Sequence, residues 1–261
     1  MCKPDYFDVI HKDLNIHMQL LRDVNKELAI KQWDNLYTII KSLDVEIELI
    51  DPVKNLVDMV FAANAATIYN NIAIIANFSA IPRIPESTYW SEFLHEKGYT
   101  LKYLNNNHEG QGDSLFSHNK TYLWCGSGFR SNNTCVNEIS EVLYNVKVIS
   151  LKMIMPEFYH LDTCFCILDE EYILYYPDAF DESSIQKIHK VFGEKQIIVS
   201  KKEALHFICN SINVGKNIIM NKIDNSVTLI KLKELGFNVI QNDMSEYLLS
   251  GGSCKCCILH T

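Results

Sequence analysis

The chain has 261 residues, 48% of them hydrophobic, and a formal net charge of −8. That is enough apolar material for one large domain or two small ones, with no need of disulfides or metals to hold the core. An acidic chain whose Lys/Arg runs never exceed two or three residues argues against nucleic-acid binding and against anionic membrane surfaces.

The start, Met1 to Asp8, has no apolar stretch of the kind a secretory leader carries. No segment approaches the roughly 18 apolar residues of a membrane span. Nine cysteines are an odd number, and Cys254, Cys256 and Cys257 are too crowded for a regular disulfide framework. Reduced thiols in a cytoplasm are the expectation.

In chain order, an amphipathic helix is expected over residues 26–43. Hairpins follow, each an apolar run broken by a polar turn. Residues 60–75 break at Asn70-Asn71, 115–125 at His118-Asn119-Lys120, 164–176 at Asp169-Glu170-Glu171, and 207–220 near Asn213 to Gly215. Asn, Asp and Gly at those breaks are what tight turns require. Between the hairpins, residues 89–97, 137–144, 183–192 and 228–235 carry apolar residues at helical spacing. Gly98, Gly193 and Gly236 follow helical runs where a left-handed cap belongs. Ser200-Lys201-Lys202-Glu203 has capping-box spacing and predicts a helix over 204–212. The units begin at intervals of roughly 45 to 55 residues, the mark of internal repetition. One α/β domain over residues 1–261, built from ββαβ-like units around an axis, is the economical picture; separate α/β lobes compete with it.

Several residues could carry chemistry. An apolar helix-like run, Met244 to Leu249, leads into Gly251-Gly252 and the thiol cluster Cys254-Lys255-Cys256-Cys257. A thiol is nucleophilic only as thiolate, so Cys256 would need a cationic or hydrogen-bonding neighbourhood. Burial as a small hydrophobe and metal ligation are the other readings of the same cysteines. His160 opens a strand-like pattern and could act as a general base oriented by a carboxylate such as Asp162, or be an ordinary histidine. Glu109-Gly110-Gln111-Gly112-Asp113 places two carboxylates among glycines, suited to a planar cation or to a plain turn. Asp58 could add a further anion or simply lead into a strand. Gly126-Ser127-Gly128-Phe129-Arg130 lacks the third glycine of a dinucleotide loop. Arg130 and Arg83 read better as carboxylate clamps, with solvated surface arginines the alternative.

Taken together, these pieces resemble the guanidine-modifying enzyme superfamily. Its fold is the pentein, a five-bladed pseudosymmetric α/β propeller, and its members include arginine deiminases, dimethylarginine hydrolases and amidinotransferases. The arginine dihydrolase branch looks nearest. Met1-Cys2-x-Pro4-x-Tyr6-Phe7, Asn15 with Met18, Asp58-x-Val60-Phe61-x-Ala63-Asn64-Ala65, Glu109-Gly110-x-Gly112-Asp113, His160-Leu161-Asp162-Thr163 and Gly251-Gly252-x-x-x-Cys256 occur in its order. Leu14-Asn15-Ile16-His17-Met18 stands where that branch usually has Asn-Pro-Trp-Met.

The resemblance implies roles. Cys256 would be the nucleophile, His160 the acid and base, and Glu109 with Asp162 the holders of a guanidinium. Asn15, Asn64 and Asp58 would line the site, and Arg83 and Arg130 would take an α-carboxylate. Deiminases and dimethylarginine hydrolases carry Asp where this chain has Asn64, so dihydrolysis of arginine to ornithine, ammonia and carbon dioxide is the implied outcome. Deimination to citrulline, amidino transfer and a non-catalytic interaction module are the rivals. The chemistry implies no metal or organic cofactor, a small guanidine as the partner, and leaves a homo-oligomer open. The chain stops soon after the thiol loop, so the extra C-terminal enzyme domain fused to some relatives is not expected.

Overall fold

The computed structural model describes residues 1–18, 22–169 and 171–261. Its first helix, α1 (Lys26–Lys41), starts at Asn25, whose side-chain oxygen accepts from the Leu28 amide at 3.1 Å. Such a cap satisfies one of the amides that the first turn leaves free. Ala29, Trp33, Leu36 and Ile40 recur three or four residues apart and form its buried stripe.

Four units of one design follow. In the first, β1 (Ala66–Tyr69) and β2 (Ile72–Ile75) make a hairpin, α2 (Glu86–Glu96) crosses over, and β3 (Thr100–Tyr103) returns parallel to β2. The second has β4 (Ser114–Ser117), β5 (Tyr122–Ser127), α3 (Cys135–Val142) and β6 (Lys147–Lys152). The third has β7 (Phe165–Leu168), β8 (Tyr172–Tyr175), α4 (Glu182–Phe192) and β9 (Gln196–Ile198). A one-turn helix, α5 (Lys201–Leu205), precedes the fourth: β10 (Ile212–Val214), β11 (Asn217–Asn221), α6 (Val227–Glu234) and β12 (Asn238–Asn242). A short α7 (Ser245–Leu248) leads to the thiol segment. Among the described residues the strands therefore form four three-stranded sheets.

The hairpins fall where the polar breaks predict them. Asn70, His118, Asn119, Lys120, Asp169 and Gly215 adopt the left-handed backbone that such turns demand. Of the expected Asp169-Glu170-Glu171 turn, Glu170 lies outside the described residues. Large apolar side chains, Trp124, Phe165, Phe180 and Phe192 among them, fill a core shared by the second, third and fourth units. A second core joins α1 to the thiol segment through Phe7, Trp33, Phe61 and Tyr247. Burying each such side chain contributes about 1.5–3 kcal/mol.

The predicted helix over 204–212 is a correction. Its capping box forms, with Ser200 and Glu203 bonding reciprocally, but the helix ends at Leu205. Phe207 turns left-handed, with φ +57, and residues 208–211 run on as irregular chain. Short 3₁₀ turns precede three of the hairpins, at Ala62–Ala65, Gly110–Gly112 and Leu161–Thr163, and a fourth spans Lys255–Cys257. The first of these packs against the second and the fourth, and the second also packs against the third.

Candidate active site

Every side chain singled out for chemistry lies on or beside one of these four turns, except Asn15, Asp58, Arg83 and Arg130. Asn64 is in the first turn, Glu109 and Asp113 flank the second, His160 and Asp162 begin the third, and Cys256 sits in the fourth. Close approach of the segments rests on glycine. A Cβ on Gly112 would stand 2.2 Å from Asn64 Nδ2, and one on Gly252 would stand 2.3 Å from the Phe61 ring.

His160 is buried between two carboxylates. Its Nδ1 lies 3.0 Å from Asp113 Oδ2 and its Nε2 lies 3.3 Å from Glu109 Oε2. Burial alone would lower its pKa, but Asp113 and Glu109 outweigh burial and raise it to about 9. The imidazole is therefore protonated at neutral pH and donates to both. Asn64 Nδ2, also 3.3 Å from Nε2, is then a neighbour of the imidazolium rather than its partner. Asp113 is itself fixed, accepting from the Leu161 amide at 3.0 Å and from Ser131 Oγ at 2.5 Å. Glu109 accepts from the Ser79 amide and hydroxyl at 3.0 and 2.8 Å, and from Arg130 Nη1 at 3.3 Å. Burial would raise its pKa; His160, Arg130 and Arg83 together hold it well below the usual carboxylate range.

The expectation that Asp162 orients the imidazole is corrected here. His160 and Asp162 stand on a 3₁₀ turn, not a strand, and Asp113 takes the Nδ1 proton. Asp162 instead holds the thiol: Cys256 Sγ donates to Asp162 Oδ2 at 3.3 Å, and Asn210 Nδ2 donates to the sulfur at 3.1 Å. Asn210 also binds the Cys256 amide through its Oδ1 at 3.1 Å. Burial pushes the Asp162 pKa up to about 6, against the pull of His160 and Lys255. Burial likewise pushes the Cys256 thiol up, and the Asp162 charge adds to it. The sulfur is therefore a thiol at neutral pH.

Cys256 faces a small cleft lined also by Asn15, Asp58, Asn64, Arg83, Arg130 and Tyr159. Arg83 is buried and paired: Nε and Nη2 donate to Glu86 at 2.9 and 2.8 Å, and Nη1 donates to Asn64 Oδ1 at 2.8 Å. That last bond fixes which way the Asn64 amide points. Arg130 stacks on the Tyr159 ring at 4.9 Å and donates to the Leu14 carbonyl at 2.9 Å, tying the 11–18 segment over the cavity. Asn15 bonds the Ser250 carbonyl at 3.0 Å, while its oxygen caps the Ile16–Met18 turn. Asp58 is buried, its Oδ1 has no hydrogen-bond partner among the described residues, and burial raises its pKa.

Sequence reasoning did not assign Asn210, Ser79, Ser131 or Tyr159, and it gave Asp113 no separate role from Glu109. The adjacency of Tyr159 to His160 is the one local signal among them. The metal reading of the cysteines finds no support among the described residues, where no group of three or more His, Cys, Asp or Glu side chains is arranged to hold an ion.

The fold and this Cys-His-carboxylate geometry define a guanidine-modifying enzyme scaffold. A family model for eukaryotic N,N dimethylarginine dimethylhydrolase matches residues 5–261, and the chain belongs to that family. The chain is 38% identical over 99% of its length to the bifunctional arginine dihydrolase/ornithine cyclodeaminase ArgZ of Synechocystis sp., of which it covers 37%. It thus spans little more than a third of that relative. It is 33% identical over 99% of its length to the N(G),N(G)-dimethylarginine dimethylaminohydrolase of Mycobacterium tuberculosis, covering 84% of it. The crystal structure of the N-terminal domain of an ArgZ variant covalently bound to a reaction intermediate superposes with a TM-score of 0.94 at 37% identity, covering 98% of this chain and 94% of that one.

Proposed function

We propose that this chain hydrolyses the guanidinium group of free arginine through a covalent adduct on Cys256, and carries the reaction past citrulline to ornithine. The observation that carries the reading is the thiol of Cys256, held by Asp162 and Asn210, on the wall of a cavity beside a His160 clamped by two carboxylates. The relatives named as arginine dihydrolase and dimethylarginine hydrolase act on the same functional group, which supports it.

The residues take the following parts. Glu109 and Asp162 flank the planar cation, while Arg83 and Arg130 meet its α-carboxylate and Asp58 its amino end, with Asn15 and Asn64 lining the space between. The incoming cation supplies the positive charge that stabilises a thiolate, and the thiol proton passes to Asp162, whose raised pKa lets it hold one. The sulfur attacks the guanidinium carbon, and His160 gives its proton to the departing ammonia. Neutral His160 then takes a proton from water, which attacks the adduct carbon and returns the sulfur. Attack on the ureido carbon of citrulline repeats the cycle. Asn64 favours that second round, because an amide places no extra negative charge beside the neutral ureido group.

The same reading takes residues 1–261 as one catalytic domain of five units. Residues 1–50 would form the fifth, which is supported by the parallel bridge between Cys2 and Ile50, by α1, and by the Lys255–Cys257 turn as a lead-in segment like the others. Hydrolysis of methylated arginine is the second reading, favoured by the match to the M. tuberculosis enzyme over most of its length. Incubating the protein with arginine and with methylated arginines, and identifying products by mass spectrometry beside Cys256→Ser, separates them. Ornithine with ammonia supports dihydrolysis, citrulline alone supports deimination or demethylamination, and an inert protein with every guanidine sinks the enzymatic account.

A further inference from the structure

A second cavity has Asp162, the acceptor of the Cys256 thiol, on its lining. It shares no lining residue with the cavity that Cys256 faces. Its inner end is Asp162, Lys255 and Gln111, all buried, and its lining runs past Cys166, Cys209 and Ser211 to the exposed Lys120 and Thr261. Asp162 on the lining of one space and Cys256 on the lining of the other are joined by a hydrogen bond of 3.3 Å.

Two features of that inner end select what can pass. Asp162 Oδ1 is buried with no hydrogen-bond partner among the described residues, an acceptor that a water or an ammonia molecule would satisfy. Beside it the Lys255 ammonium is held by two neutral acceptors, Gln111 Oε1 at 3.2 Å and the Ile258 carbonyl at 3.3 Å. Gln111 is locked in turn by the backbone of His260, accepting from its amide at 3.0 Å and donating to its carbonyl at 2.6 Å. Burial lowers the Lys255 pKa against the pull of Asp162; beside that carboxylate, the lysine charge opposes entry of a second cation such as ammonium or arginine and leaves neutral molecules of the size of water unopposed.

Chemistry on the other face needs such a path. Each hydrolysis consumes one water and releases one ammonia, and two rounds convert arginine and two waters to ornithine, two ammonia and one carbon dioxide. The amino-acid end of the substrate would occupy the cleft under the 11–18 segment, on the route by which it entered. We propose that the second cavity is a conduit through which water reaches the Cys256 adduct and neutral ammonia leaves it, with Asp162 Oδ1 as its inner docking point and Lys255 as its charge filter. This rests on the thiol-adduct reading of Cys256.

Cys166 offers a place to plug the conduit. It is buried, it is on the lining, and its thiol donates to the Ser211 carbonyl at 3.5 Å and to the Ile167 carbonyl at 3.7 Å. Cys166→Phe and, at the half-buried Ile167, Ile167→Trp should each leave the fold intact by thermal melting. Rapid quenching of the reaction with arginine and intact-mass detection should then find the adduct accumulating in the steady state. Turnover should fall about tenfold, the change that a barrier higher by ~1.4 kcal/mol brings. Cys166→Ala should behave as the parent. Folded plug variants that turn over at the parental rate overturn the conduit, as do variants in which adduct formation and turnover fall together. If Cys166→Phe does not fold, Ile167→Trp decides alone. A parent protein that forms neither adduct nor product from any guanidine overturns the thiol reading, a result distinct from failure of the plug.

Discussion

Replacing Asp113 by Asn removes one charge and little volume, and the structure says where the effect goes. Asp113 accepts the Nδ1 proton of His160 at 3.0 Å and is the leading contribution that lifts the imidazole, against burial, from an ordinary 6.5 to about 9. An amide oxygen can still accept that proton but no longer compensates the buried charge. With Glu109 left alone against burial, the His160 pKa should fall by about two units, on the order of 3 kcal/mol of lost imidazolium stabilisation. At pH 8 the protonated acid that ammonia needs would then drop by roughly tenfold, whereas at pH 6 it would change little. The assay is turnover of arginine against pH for both proteins, with NMR titration of the imidazole beside it. The alkaline limb of kcat should move from near 9 toward 7, and the loss should shrink as the pH is lowered. A uniform loss at every pH, with the limb still near 9, would refute the role given to Asp113. Stability follows with its own sign: a histidine raised above its unfolded value stabilises the fold fully below about 6.5, and that stability is lost as the pH rises through about 9. The parent should therefore lose up to about 3 kcal/mol of unfolding free energy across that window, and Asp113→Asn should flatten the slope.

Other substitutions test other parts of the site. Asn64→Asp should stop the reaction at citrulline by adding a negative charge between Arg83 and His160; continued formation of ornithine counts against the part given to the amide. Gly112→Ala must push a methyl group into the Asn64 side chain, 2.2 Å away, and should cost at least about tenfold in kcat/KM with little change in melting temperature. Glu86→Gln leaves the buried Arg83 without its carboxylate and should destabilise the protein by about 3–5 kcal/mol, measured by urea unfolding.

Hairpins and helices were legible because their signals are local: a turn needs Asn, Asp or Gly at fixed places, and a helix needs its stripe. The stop of α5 at Leu205 was not, since the apolar spacing of 204–212 continues, whereas the chain turns left-handed at Phe207 and carries Asn210 to Cys256 and the Asp162 carbonyl, contacts that no local signal announces. The candidate site shows the same division. Residue types and order pointed to a thiol, an imidazole and carboxylates. Which carboxylate serves which partner was hidden, because Asp113 and Asp162 are 49 positions apart in one chain and exchange roles through folding alone. The pairing of Arg83 with Glu86 spans three residues and could have been read from a helix start, but the ends of that element put Arg83 outside it.

Asn64, Glu109, Asp113, His160 and Asp162 come from segments that lead into three separate sheets, and Cys256 comes from a turn that follows the fourth. A change in one segment can alter which molecule is accepted, or how far it is processed, while the sheet behind it keeps its hydrogen bonds. Such a scaffold lets selection or a designer retune one wall of the chamber at a time, and the natural place for a new specificity to arise is the handful of residues just before each first strand.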